Sequence, residues 1–131
     1  MKACVFSLFL VFLLLTGCAP ANTNTPQNWG SFTAEATESH DGAYRATQQV
    51  VEKGDVRFVE VTVHDTKTGQ SLFSFTPARA SDFWGICWES DGYNLWIQSG
   101  DIGVACYQYT DGQWILNESV PRPTDIISKY D

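Results

Sequence analysis

Positive charge is scarce in this chain. Its 131 residues hold eight Lys and Arg against fifteen Asp and Glu, a formal charge of −7 at neutral pH. Phosphate is gripped largely by Lys and Arg, so the lack of any basic cluster speaks against nucleic acid as a partner. Length is short as well: it suits one domain and leaves no room for a separate cofactor module. No apolar run reaches the roughly twenty residues that span a bilayer as a helix. Catalytic and metal signatures are missing too, with no G-x-S-x-G, phosphate loop or EF-hand loop, and with His40 and His64 in no zinc-spaced set. The residues therefore point to no cofactor and no metal. Disorder is excluded by what is present: five Trp, five Tyr and eight Phe.

The N-terminus carries an address. Lys2 is followed by Ala3 to Leu15, a stretch whose one polar member is Ser7. That is the length of a signal-peptide apolar region rather than of a stable anchor. It ends in Leu15-Thr16-Gly17-Cys18, which resembles the lipobox of bacterial lipoproteins. The resemblance implies a signal peptide over residues 1–17, lipidation of the Cys18 thiol with palmitate-type chains, and cleavage between Gly17 and Cys18. The alternative is an ordinary secretory signal cleaved near Cys18-Ala19-Pro20-Ala21. Two or three chains, at roughly 0.8 kcal/mol per buried methylene, anchor a protein stably to a membrane. The protein is thus expected outside the cytoplasm, on the cell membrane or the outer membrane. Ala19 rather than Asp follows the cysteine, and the family's sorting rule leaves the outer membrane open in a two-membrane cell.

Residues 18–29 are small, polar and broken by Pro20 and Pro26, and they read as a flexible tether. A single β domain is expected over 30–131. Without residues 1–17 the chain has seven basic and fifteen acidic side chains, a charge of −8. Turn signals fall at Asp41-Gly42, Gly54-Asp55, Lys67-Thr68-Gly69, Pro77 to Ser81, Asp91-Gly92, Gly100 to Gly103 and Asp111-Gly112. Breaks about ten residues apart delimit about eight short antiparallel strands, the mark of an all-β domain. In Arg57 to His64, Val59, Val61 and Val63 alternate with Glu60, Thr62 and His64, as in a strand with one buried face. No helical period occurs before Pro123. Thr124 to Tyr130 has room for a short closing helix.

The second half reads differently. In Phe83 to Trp88 and Leu95 to Ile97 apolar residues occupy both alternating faces, as in strands covered on both sides. These hairpins should form the centre, with residues 31–76 packed against them. Trp84, Trp88, Trp96 and Trp114 are candidate ligand or partner contacts, as a platform for stacking on sugars. The same residues also suit a core, where each buries a large area.

Val63-His64-Asp65-Thr66-Lys67-Thr68-Gly69 and Ser90-Asp91-Gly92-Tyr93-Asn94-Leu95 resemble turns in the blades of WD40- and TolB-like propellers. Two halves, about 31–76 and 83–118, would each supply one four-stranded blade. Two blades cannot close a propeller. The expected fold is a blade-like antiparallel meander in a small sandwich or open barrel. The whole chain also resembles short lipoproteins of Gram-positive bacteria.

Cys87 and Cys106 remain once Cys4 leaves with the signal and Cys18 is lipidated. An exported protein with two cysteines suggests a disulfide. Strand register suggests otherwise. A hairpin centred on Asp91-Gly92 places Cys87 opposite Trp96, and the next hairpin places Cys106 near Ile97. The thiols then flank one shared strand, roughly 9–10 Å apart, whereas a disulfide needs Cα atoms within about 7 Å. Buried free thiols are the expectation.

Other chemistry is thin. Cys87 or Cys106 with His64 would make a nucleophile pair only if the cysteines left the core. Glu89 with Asp91, or Asp82 with Asp101, would bring carboxylates together at loop ends, and Asp91, Asp101 and Asp111 would form a loop Ca²⁺ site; solvated acidic turns explain the same residues. Three functions fit: a non-enzymatic binding or interaction module of the cell envelope with a protein or carbohydrate ligand, an immunity or inhibitor protein against a basic toxin, and a small envelope hydrolase using loop carboxylates. The first fits the lipobox, the tether and the compact acidic domain best.

Overall fold

A computed structural model describes residues 30–80 and 83–128. The signal peptide, Cys18, the tether and Asp82 lie outside the described residues. Eight strands run in chain order: β1 (Thr37–Glu38), β2 (Tyr44–Lys53), β3 (Val56–Asp65), β4 (Ser71–Arg79), β5 (Trp84–Trp88), β6 (Leu95–Ser99), β7 (Gly103–Thr110) and β8 (Gln113–Leu116). They form two four-stranded antiparallel meanders, β1-β2-β3-β4 and β5-β6-β7-β8. The halves face each other as a sandwich, with no closure into a barrel.

Local chemistry explains the turns. Asp111 and Gly112 both hold positive φ (49° and 83°) between Thr110 and Gln113, the conformation a two-residue Asp-Gly hairpin needs. Gly54 supplies positive φ in the two-residue turn joining β2 to β3. At the β3–β4 turn, Asp65 Oδ1 accepts the Thr68 N–H (2.7 Å) and hydroxyl (3.0 Å), and the Gly69 N–H donates to the Asp65 carbonyl. The hairpin around Asp91-Gly92 has the expected register, with Cys87 opposite Trp96, but its loop is wider than two residues. The Glu89 carboxylate accepts Asn94 Nδ2 across it.

Pro77 departs from its sequence assignment as a turn residue. It sits inside β4, where the register with β3 slips between Val59 and Val61; a second slip falls between Val63 and His64. Proline is tolerated there because β4 is an edge strand and the ladder is already interrupted by a bulge.

The alternation in β3 holds: Val59, Val61 and Val63 are buried, and Glu60, Thr62 and His64 are half-buried. The valines pack with Ala46, Ile86, Trp88, Leu95, Ile97 and Trp114 between the sheets. The second sheet has a further apolar layer on its other face, made of Cys87, Trp96, Cys106 and Ile126 with Phe32, Val104 and Val120. Chain segments from both ends of the domain thus cover that face. The short helix envisaged over Thr124 to Tyr130 is absent as far as Ser128. Instead, Ile126 enters the outer layer, and Ile127 donates to the Gly30 carbonyl in a parallel bridge between Ser31 and Ile127. So few residues cannot offset the cost of helix nucleation, and burial of Ile126 decides the path.

Candidate functional site

The four tryptophans do not make a platform. Trp88, Trp96 and Trp114 are buried, and Trp84 is half-buried against the inter-sheet core. The indole N–H groups of the three buried ones are used internally: Trp88 donates to the Thr37 carbonyl (3.1 Å), Trp96 to Glu89 Oε1 (2.9 Å) and Trp114 to the Tyr93 carbonyl (2.7 Å). Buried indoles with satisfied donors are core residues.

The thiols are equally enclosed. Trp96 on β6 pairs with Cys87 on one side and Cys106 on the other. Both cysteines are buried and unbridged, as the flanking-strand register requires. Burial pushes the Cys106 thiol up to about 12 and that of Cys87 higher still, with nearby Glu89 adding to both shifts. Such thiols are not nucleophiles at neutral pH. His64 is far from the role of their base: its Nε2 lies 3.0 Å from the Thr47 hydroxyl on the outer face of the first sheet.

The candidate carboxylates are occupied as hydrogen-bond acceptors. Glu89 takes both Asn94 Nδ2 and Trp96 Nε1. Asp101 accepts the Arg79 N–H (2.9 Å) and the Ser99 hydroxyl. Burial pushes its pKa up, but those bonds outweigh it and the net shift is downward. Asp91 and Asp111 sit exposed on separate turns, and the described residues contain no metal-binding group of three or more His, Cys, Asp or Glu.

A tyrosine cluster that no sequence motif announces closes one end of the sandwich. Tyr44 and Tyr109 share a hydroxyl contact of 3.1 Å between the two sheets, and the Tyr93 hydroxyl donates to Asp41 Oδ2 at 2.6 Å. His40 Nδ1 lies 3.2 Å from the Gly92 carbonyl. The Tyr93 bond, with help from the Ala43 N–H, brings Asp41 down to about 2. The Tyr109 hydroxyl and burial raise Tyr44 to about 12. These rings pack edge to face with Trp114 and one another, so the cluster works as a clamp between loops.

The sheet edges differ more informatively. β1 is two residues long. β4 carries its proline and bulges, which hinder pairing with another chain. β5 is covered: Thr33 and Ile86 exchange both main-chain hydrogen bonds at 2.9 Å. Gly85 suits this close approach, because a Cβ would lie a tight 3.1 Å from the Thr33 nitrogen. β8 is the exception. It is four residues long against eight in β7, and Ile115 and Leu116 are 53% and 48% exposed on it. Where β8 stops short, a cleft of about 230 Å³ opens between Pro77, Ile102, Val104, Leu116 and Val120, with Trp96 and Cys106 at its inner end. Strand lengths between Gly103 and Pro121 were the signal available in the sequence for this step. Comparison with protein-family models, curated proteins and solved structures returns no match, so the reading of the site rests on its geometry.

Proposed function

We propose that this protein is a lipid-anchored, extracytoplasmic lipoprotein whose β domain acts as a non-enzymatic interaction module. The observation that carries the reading is the set of exposed apolar side chains on the edge strand β8 and in the turn before β7. Ile102, Ile115 and Leu116 are three of the six large apolar residues exposed among the described residues, and they belong to β8 or the turn before β7. An apolar rim beside an open strand is what a protein surface offers to another protein. The lipobox supplies the location, and the tether supplies reach from the membrane.

The test uses the full chain in the bacterial envelope. A photo-crosslinking residue at Ile115 should yield discrete higher-mass adducts, and one at Thr62 on the opposite polar face should not. Cys18→Ala should leave uncleaved precursor or free the protein from the membrane, and the Ile115 adducts should fall with it. Equal adduct patterns from both positions, or normal membrane retention of the Cys18→Ala protein, would contradict the proposal.

A further inference from the structure

We infer that the step between β7 and β8 takes up an extended peptide strand of a partner protein, carrying apolar and basic side chains, by strand addition beside Val104. This inference rests on the interaction-module reading and gives its site a partner class.

The main chain sets the chemistry. The Asn117 N–H donates to the Cys106 carbonyl at 2.9 Å, and Gln108 pairs with Ile115 on the same side. Main-chain groups in a strand alternate, so Val104 turns its own N–H and C=O the same way. Its pairing residue on the chain beyond β8 would be Ser119, but the chain has left the ladder after Asn117, and Val120 packs on the outer layer instead. Val104 therefore presents one donor and one acceptor to the cleft with no main-chain partner among the described residues. An extended peptide supplies the complement of both. β4 is bulged and β5 is covered; the stretch of β2 beyond the two-residue β1 is open as well, but the step at Val104 is the open edge that lies in a cleft with apolar walls.

The walls set the side chains. Pro77, Ile102, Leu116 and Val120 give the cleft apolar walls beside the polar Asn117 and Glu118, and its 230 Å³ falls below the roughly 300 Å³ at which small-molecule pockets begin. That volume suits a side chain or two of a strand. Glu118 is the one charged residue lining it, and the chain as a whole carries −7. Both favour a cationic neighbour and disfavour a second copy of this acidic chain.

The test measures binding of labelled octapeptides to the full-length lipidated protein in detergent. One peptide alternates Val and Lys, a second alternates Val and Glu, and a third is the Val-Lys peptide with alternate backbone nitrogens methylated. The Val-Lys peptide should bind saturably, and methylation or the exchange of Lys for Glu should each weaken it by about tenfold. Val104→Pro should abolish binding by removing the edge donor. Glu118→Lys, an exposed change that leaves the fold alone, should reverse the preference between Lys and Glu peptides. Equal binding of the methylated peptide, no saturable binding by any peptide, or a dimer that Val104→Pro dissolves would each overturn strand addition by a partner peptide. Adducts from Ile115 would persist in those cases if the interaction-module reading were still correct.

Discussion

The two sheets hold four strands each, yet they solve different problems. The first sheet buries one face, and its strands alternate accordingly: Val59, Val61 and Val63 inward, Glu60, Thr62 and His64 outward. Its outer face is a ladder of polar pairs, with Thr62 and Ser74 hydroxyls 3.1 Å apart and Gln49 Nε2 donating to Glu60 at 2.8 Å. The second sheet is covered on both faces, and all five residues of β6 are buried. One face meets the valines of the first sheet. The other meets segments from both ends of the domain, so this sheet depends on long-range closure that the first does not need. Apolar burial should therefore be concentrated in β5 and β6, and substitutions there should cost most.

The largest contrast comes from truncating inward residues. Trp88→Ala should destabilise by about 3–5 kcal/mol, read from denaturant unfolding, and that approaches the whole stability of a domain this small. Thr62→Val on the outer face of the first sheet should stay within about 0.5 kcal/mol. Similar costs for the two would contradict the open, polar outer face assigned to the first sheet.

The covering segment is tested next. Gly85→Ala places a Cβ about 3.1 Å from Phe32 and the Thr33 main chain. Overpacking of this kind should cost about 1–3 kcal/mol, and protease should then cut residues 30–34 faster than in the parent. Unchanged cleavage would show that this segment does not seal β5.

A smaller effect belongs to the clamp at the end of the sandwich. The folded Asp41 pKa, about 2, lies below its ordinary value of 3.8, so its contribution is present above about pH 4 and is lost as pH falls through 2. Asp41 is exposed, which limits that contribution to less than about 1 kcal/mol. The stability gap between the parent and Asp41→Asn should be level from pH 7 to 5 and shrink between pH 4 and 2. A gap that widens in acid would assign the stabilisation to another group.

No effect at all is expected from reductant. Cys87 and Cys106 flank Trp96 without bonding, so the Tm should not move, and both thiols should alkylate only after denaturation. A linked Cys87–Cys106 peptide in the non-reduced digest would contradict the register.

Much of this fold can be read in the sequence. Asp111-Gly112 specifies its hairpin through positive φ, the valines of β3 specify the buried face, and the doubly apolar pattern from Trp84 to Trp88 announces a sheet covered twice. The register around Asp91-Gly92 follows from where the turn is centred, although the Glu89–Asn94 contact widens the loop. What is not legible depends on distant partners. Nothing local says that Pro77 will sit in a bulge, that Thr33 will pair with Ile86, or that Ile126 will enter the outer layer in place of a helix turn. The tryptophans show the same limit: residue type suits a core or a platform equally, and only packing decides. The open step at Val104 is the least legible feature, since it arises from a difference in strand length and not from any motif.

Residue-resolved amide hydrogen exchange along β7 tests that step most directly. Ala105 and Tyr107 direct their N–H groups toward β6, Gln108 directs its own toward β8, and all three should exchange slowly. Val104 should exchange orders of magnitude faster than Ala105, although the two are neighbours in one strand. Protection of Val104 equal to that of Ala105 would mean that the edge is already filled, and the docking step would not exist.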